Sequence, residues 1–206
     1  MHHAPARLWL LRHAQPLIAP GICYGRLDVP ANAAFTQKAA QTMVAHLGHS
    51  MIVVRYSPSR RCASLAAALQ SAAPEQVTGM VADGRLQEMD FGRWEGCAWD
   101  AIACADIHAW ANDLPHYTPP GGEALGTMLQ RVRMALCESW RADSQYGRHD
   151  VLWVTHAGTI RCVQWLLQHY PSLPNSEQWN LPAPIFGAWL TQTWADAMTI
   201  GPCLNP

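Results

Sequence analysis

The chain has little net charge: fourteen lysines and arginines stand against fifteen aspartates and glutamates in 206 residues, a formal charge of -1. That excludes the overall basic field of a nucleic-acid binder, so any anion site must be a local cluster. It also lacks Cys-x-x-Cys. The seven cysteines, Cys23, Cys62, Cys97, Cys104, Cys137, Cys162 and Cys203, are odd in number and scattered. This argues against a zinc ribbon or a disulfide framework and for reduced, mostly structural thiols, as expected of a cytoplasmic protein. No run approaches the roughly 18 apolar residues that a membrane-spanning helix requires. The start shows no basic segment followed by a long apolar stretch, so no signal peptide is expected. His2 and His3 read as an ordinary terminus and not as metal ligands. Internal repeats and low-complexity linkers are missing too, which leaves one domain over residues 1–206 as the expectation.

What is present is a globular composition, half apolar. "RLWLLR" (7–12), "MIVVRYS" (51–57) and "DVLWVT" (150–155) are short apolar runs without strict alternation, the pattern of strands covered on both faces. A weaker strand candidate covers 76–82, and the alternating "FGAWLTQTW" reads as a last edge or antiparallel strand. Helical spacing appears over 34–47, from Ser57 or Ser59 as N-cap through "RRCASLAAALQSAA", over 97–112, over 123–142 and through "GTIRCVQWLLQHY". Residues 16–32 and 84–100 read as loops. Strands alternating with helices predict an α/β fold: a three-layer α/β/α sandwich with a mostly parallel central sheet and an antiparallel edge strand.

In such sheets ligands bind beyond the carboxyl ends of the strands. Three strand ends deliver Arg12 and His13, the stretch Ser57-Pro-Ser-Arg-Arg61, and His156 to one rim. A strand-end histidine alone is more often structural than catalytic. With Arg12 beside His13 and His156 at a matching position, a site becomes the better reading. Clustered positive groups are costly to bury without an anion, and the planar guanidinium suits phosphate or carboxylate. Either Arg60 or Arg61 could face the site, and either Glu88 or Glu95 could serve as an acid.

Arg12-His13-Ala14, Ser57 to Arg61, "LQEMDFGRWEG" (86–96), Gly121-Gly-Glu123 and Thr155-His156-Ala157-Gly158 together resemble the histidine phosphatase superfamily, also called phosphoglycerate mutase-like. The resemblance runs in order over roughly residues 7 to 165. Within it, "GICYGRLDVP" and "DFGRWEG" look most like the α-ribazole phosphatase group, enzymes of late cobalamin assembly. The resemblance implies a metal-independent phosphomonoesterase without a cofactor. His13 would carry the phosphoryl group, and Arg12, Arg61 and His156 would hold its oxygens. Glu88 would be the general acid and base. The family spacing selects Arg61 over Arg60. Gln15 and Ala157 join the substrate-binding set, Gln15 because Gln15-Pro16 replaces the polar residues usual after the first histidine. Ala14 and Ala157 stand where glycine is usual. The expected partner is a small phosphorylated metabolite, α-ribazole 5′-phosphate being one candidate, with neither nucleic acid nor membrane; a homodimer is compatible with the sequence. Trp99, Trp110 and Tyr117 are either an aromatic pocket lining or core.

The alternatives are a mutase acting on phosphoglycerates, a non-catalytic phospho-ligand binder on the same fold, and a metal hydrolase built on His13 and His156. Mutases usually carry longer insertions after the acid motif, whereas this chain passes directly from "EMDFGRWEG" into a helix. Retention of both histidines, Arg12, Arg61 and Glu88 argues against a mere binder. Two histidines beside arginines that repel cations make a poor metal site.

Overall fold

A computed structural model describes residues 7–146 and 149–193; His2, His3 and Cys203 lie outside the described residues. Five strands form one sheet: β1 (Arg7–Arg12), β2 (Ile52–Tyr56), β3 (Val77–Ala82), β4 (Asp150–Thr155) and β5 (Trp189–Thr193), in the order β3-β2-β4-β1-β5. All neighbouring pairs are parallel except β5, which runs antiparallel along the outer side of β1. The expected mostly parallel sheet with an antiparallel edge is therefore the observed one.

Side-chain alternation divides the core into two. Leu8 and Leu10 of β1, with Val151 and Trp153 of β4, face α4 (Leu125–Tyr146) and α5 (Ala157–His169). Trp9, Leu11, Leu152 and Val154 face α1 (Ala33–Leu47) and α2 (Arg60–Ala72). Every residue of β4 is buried, which explains its unbroken apolar run. Truncating a fully buried side chain such as Leu10 would cost about 2–5 kcal/mol.

This layering positions the site. Leu11 pairs with Val154 and Arg12 with Thr155, so His13 and His156 leave neighbouring strands side by side. The helix after β4 packs on one face and the helix after β1 on the other, which opens a crevice at the strands' carboxyl ends.

Three expectations need correction. The helix predicted over 97–112 is a short 3-10 turn at Trp99–Ala101 followed by α3, Cys104–Asn112. Residues just before the turn are drawn into pairing with the loop after β1, Ile22 bridging Ala98, and this long-range pairing overrides helical spacing. Ser59 is the N-cap of α2 but makes no side-chain cap bond; its hydroxyl lies 3.4 Å from His156 instead. Cys23, Cys62, Cys97, Cys104 and Cys162 are free thiols, whereas Cys137 is disulfide-bonded, so the expected reduced state does not extend to it.

Candidate active site

His13 is 1% exposed. Its backbone N–H continues the ladder to the Thr155 carbonyl (2.9 Å). Its Nδ1 donates to the Ala14 carbonyl at 2.7 Å. Since a carbonyl only accepts, the proton is on Nδ1, and Nε2 keeps a lone pair. Burial lowers the His13 pKa to about 3, with Arg61 and Arg12 adding to the shift and the Ala14 bond opposing it. The ring is therefore neutral near pH 7.

His156, fully buried, caps α5 and packs edge-on to His13 with ring centroids 5.1 Å apart. Its Nε2 bonds the Ser57 hydroxyl at 2.9 Å. Burial, and then the neighbouring His13 and arginines, hold its pKa well below the ordinary value.

Arg61 is fully buried, whereas Arg60 is exposed, in line with the family spacing. The Arg61 guanidinium donates to the Gly25 carbonyl (2.6 Å) and the Leu27 carbonyl (2.8 Å) and lies over Tyr24. The loop after β1 therefore holds it. Arg12 donates to the Pro184 carbonyl at 3.0 Å and stacks on Phe186, 3.9 Å from the ring centroid. Phe186 also packs against His13, so the segment before β5 closes over the site.

Among the described residues neither Arg12 nor Arg61 has a carboxylate partner, whereas Arg7, Arg26, Arg55, Arg85 and Arg131 each have one. Arg12 Nε, Arg61 Nε and His156 Nδ1 are buried and find no hydrogen-bond partner. Such groups are normally satisfied. Three of them around one neutral histidine form a cradle that an anion with several oxygens would complete.

Glu88 stands at the edge of this cradle. One carboxylate oxygen accepts the Met89 N–H and the other the Gly158 N–H, both at 3.0 Å. The second bond places the carboxylate at the N-terminus of α5, which favours negative charge there. A Cβ on Gly158 would meet this carboxylate, so a side chain there would displace Glu88 from its present position. Glu95 behaves differently. It accepts the Arg26 N–H (2.7 Å) and the Phe91 N–H (3.0 Å), and it abuts Gly25, whose φ of 29° and lack of space both exclude a side chain. Burial raises the Glu95 pKa. Its contacts brace two loops.

A brace missing from the sequence reading fixes Glu88. Arg131 donates to the carbonyls of Arg85 (2.6 Å), Gln87 (2.8 Å) and Glu88 (3.1 Å) while paired with Glu123. Arg26 reaches Glu123, Asp90 and the Glu88 carbonyl. The hydroxyls of Thr155 and Thr159 fasten the Leu86 carbonyl to β4 and α5. Arg26, Asp90, Glu123 and Thr155 lie in the quoted motifs, whereas an isolated Arg131 inside an amphipathic helix gives no signal in the sequence.

Of the other expected residues, Ala157 begins α5 beside Glu88 and lines a cavity of about 160 Å³ that also includes Tyr24, Phe91, Trp99, Gly158, Arg161 and Trp179. Gln15 is exposed; its carbonyl accepts the Asn32 N–H, and its side chain makes no hydrogen bond among the described residues. Trp99 lines the cavity, while Trp110 packs behind it against Phe91 and Trp94, and Tyr117 stacks on Trp94. A larger groove of about 460 Å³, lined by Pro30, Thr36, Arg60 and Ser64 among others, includes none of the residues of the cradle. Among the described residues no three His, Cys, Asp or Glu side chains are placed to hold a metal, and no helix is long and apolar enough to cross a membrane.

Comparison with known proteins identifies the family. The model of the Histidine phosphatase superfamily (branch 1) matches residues 8–185. The Mycobacterium tuberculosis "Bifunctional protein Rv2228c" is 36% identical over 135 residues, covering 63% of this chain but only 36% of that protein, so the chain spans little more than a third of that relative's length. "Putative phosphoserine phosphatase 2" of Hydrogenobacter thermophilus is 30% identical over 165 residues, 78% of each chain. The adenosylcobalamin/alpha-ribazole phosphatase of Escherichia coli is 26% identical over 180 residues, 84% of this chain and 83% of that one. Among solved structures, a mycobacterial glucosyl-3-phosphoglycerate phosphatase superposes with a TM-score of 0.76 at 23% identity, over 91% of this chain and 90% of that one. The alpha-ribazole phosphatase of Shigella flexneri superposes with a TM-score of 0.70 at 26% identity, over 90% and 89%.

Proposed function

Because the chain belongs to the histidine phosphatase superfamily and is an enzyme of that class, we propose that it hydrolyses a small phosphorylated metabolite through a phosphohistidine at His13. The observation that carries this reading is the set of partnerless buried nitrogens, Arg12 Nε, Arg61 Nε and His156 Nδ1, around the free Nε2 of His13.

The chemistry follows from the charges. Nε2 of neutral His13 attacks phosphorus and the ester P–O bond breaks. Arg12, Arg61 and His156 stabilise the transferring oxygens in a site from which water is largely removed. Glu88 gives its proton to the departing alkoxide. It then takes a proton from the water that attacks phosphorus; the P–N bond breaks, phosphate leaves, and Glu88 is protonated again. The arginines supply the positive charge that a metal provides in other phosphoryl-transfer enzymes. Gln15 and Ala157 contribute at the rim. α-Ribazole 5′-phosphate is supported as a substrate by the loops "GICYGRLDVP" and "DFGRWEG" and by the relatives named for it. The phosphoserine phosphatase relative supports a smaller ester.

The test is turnover of an aryl phosphate together with trapping of an acid-labile, base-stable phosphoryl-protein. His13→Ala is expected to abolish both while circular dichroism and thermal melting show a folded protein. Undiminished turnover in that variant would remove His13 as the nucleophile.

A further inference from the structure

Two free thiols stand opposite each other where the loop after β1 meets the loop that carries Glu88. Ile22 bridges Ala98. The Trp99 N–H donates to the Gly21 carbonyl and the Cys23 N–H to the Cys97 carbonyl, both at 2.9 Å. The short antiparallel ladder therefore carries on from Ile22 and Ala98 to Cys23 and Cys97. Its end is set locally. Glu95 (φ -66°, ψ 134°) and Gly96 (φ 84°) have the dihedrals of a type II turn, closed by the Cys97 N–H on the Trp94 carbonyl at 3.1 Å. The Gly96 N–H donates to the Cys23 carbonyl at 2.7 Å. Gly96 and Cys97 thus oppose Cys23 together, a bulge that begins on a glycine of positive φ.

Opposed residues of an antiparallel pair project to one side, and at a hydrogen-bonded position their Cα atoms are about 5.5 Å apart. That lies within the roughly 4.4–6.8 Å that a disulfide spans. The two thiols are unequal. Cys23 is fully buried, and burial pushes its pKa up to about 12, with Glu95 and Cys97 adding to the shift. Cys97 is exposed, and its thiol donates to the Arg93 carbonyl at 3.7 Å. An oxidant in solution meets Cys97 first, and Cys23 is placed to resolve the product.

The pair adjoins the anchor of Arg61. Two residues after Cys23, the Gly25 carbonyl accepts from the Arg61 guanidinium. Gly25 has no free space, because a Cβ there would meet Glu95, the Met89 carbonyl and Phe91. A disulfide draws opposed Cβ atoms from about 5 Å to about 3.8 Å. With Gly25 wedged, that movement at Cys23 passes to the carbonyl that holds Arg61.

We infer that Cys23 and Cys97 are an oxidisable pair, closed into a disulfide by a peroxide, and that closure displaces Arg61 and lowers activity reversibly. The activity part rests on the phosphatase reading above. The Cys97 sulfur takes one oxygen from the peroxide, giving a sulfenic acid and one water. The Cys23 sulfur then attacks the Cys97 sulfur; the S–S bond forms, the S–O bond breaks, and a second water leaves. Two thiols are oxidised and one peroxide is reduced.

Peptide mapping and turnover of an aryl phosphate, followed together during exposure of the protein to hydrogen peroxide, test this. The wild type should yield a peptide linked through Cys23 and Cys97 while kcat/KM falls about tenfold or more, since a misplacement of about 1 Å can cost about 10²-fold. Dithiothreitol should restore turnover. Cys97→Ser should start with wild-type activity and keep it under peroxide. Cys104→Ser, which removes the other exposed free thiol among the described residues, should respond as the wild type does. Any effect of reducing the Cys137 disulfide would appear equally in Cys97→Ser. Absence of the linked peptide, a bond from Cys97 to Cys104 in its place, or a Cys23–Cys97 bond with undiminished turnover would each overturn the inference. So would inactivation of Cys97→Ser as fast as the wild type. If the untreated protein hydrolyses no aryl phosphate, the phosphatase reading falls, and the mapped bond alone decides whether the pair is oxidisable.

Discussion

The two ends of the pocket are built by different means. The cradle end is made by the sheet: Arg12 and Thr155 are register partners, so His13 and His156 follow from strands whose every backbone bond fixes their separation. Its side chains are in turn held by the protein, Arg61 by two loop carbonyls and His156 by Ser57. The Glu88 end is made by loops and the first turns of α5. It depends on Arg131, Glu123 and Arg26 to hold a segment with little regular structure. On the proposed mechanism, the chemistry common to phosphate esters would rest on rigid elements, and the leaving group would meet loops whose side chains can change without disturbing the sheet.

That contrast predicts losses at the cradle that do not depend on the leaving group. On the proposed mechanism, Arg61→Ala removes a charge from the phosphate cradle and should lower kcat for an aryl phosphate by about 10²–10³-fold, the range for loss of one preorganised donor. It also frees the Gly25 and Leu27 carbonyls, so the loop after β1 should become more accessible to protease. Arg60→Ala, at an exposed neighbour, should change kcat less than twofold. Equal losses in the two variants would mean that the cradle does not distinguish its two arginines.

At the other end the effect should depend on the leaving group. Glu88→Gln should slow alkyl phosphates by about 10²–10⁴-fold, the usual contribution of general acid–base catalysis, and aryl phosphates much less. Glu95→Gln should leave the dependence on leaving-group pKa unchanged, because Glu95 is engaged with the Arg26 and Phe91 N–H groups. A steepened dependence in Glu95→Gln, with none in Glu88→Gln, would exchange the two roles.

The same contrast explains what could be read in the sequence. β1 and β4 are legible because strands buried on both faces leave unbroken apolar runs, and a strand that ends on a histidine marks the rim. Arg61 is separable from Arg60 only by the family spacing; in the fold Arg61 is buried and Arg60 exposed. The Glu88 end was less legible because its determinants are long-range. Residues 97–98 have helical composition but pair with the loop after β1. Ser59 has the residue type of a helix cap, yet its hydroxyl turns toward His156. Arg131 and Arg161 sit within ordinary amphipathic helices, and nothing local distinguishes them from solvent-facing arginines.

The smallest effect concerns stability, and it should arise at the cradle. Both of its histidines have depressed pKa values, His13 to about 3 and His156 well below the ordinary value, each chiefly through burial. In the unfolded chain they titrate near 6.5. Above that pH they are neutral in both states and cost nothing. As the pH falls below it, the unfolded state takes up protons that the folded state refuses, so stability is lost progressively, and for His13 this continues until about pH 3. Each histidine should contribute a slope of up to about 1.4 kcal/mol per pH unit in that window. His13→Asn, which cannot titrate, should therefore flatten the dependence of unfolding free energy on pH by about one proton between pH 6 and 4, as measured by urea denaturation at a series of pH values. An unchanged slope would mean that His13 is protonated in the folded protein, and a protonated ring has no lone pair on Nε2 with which to attack phosphorus.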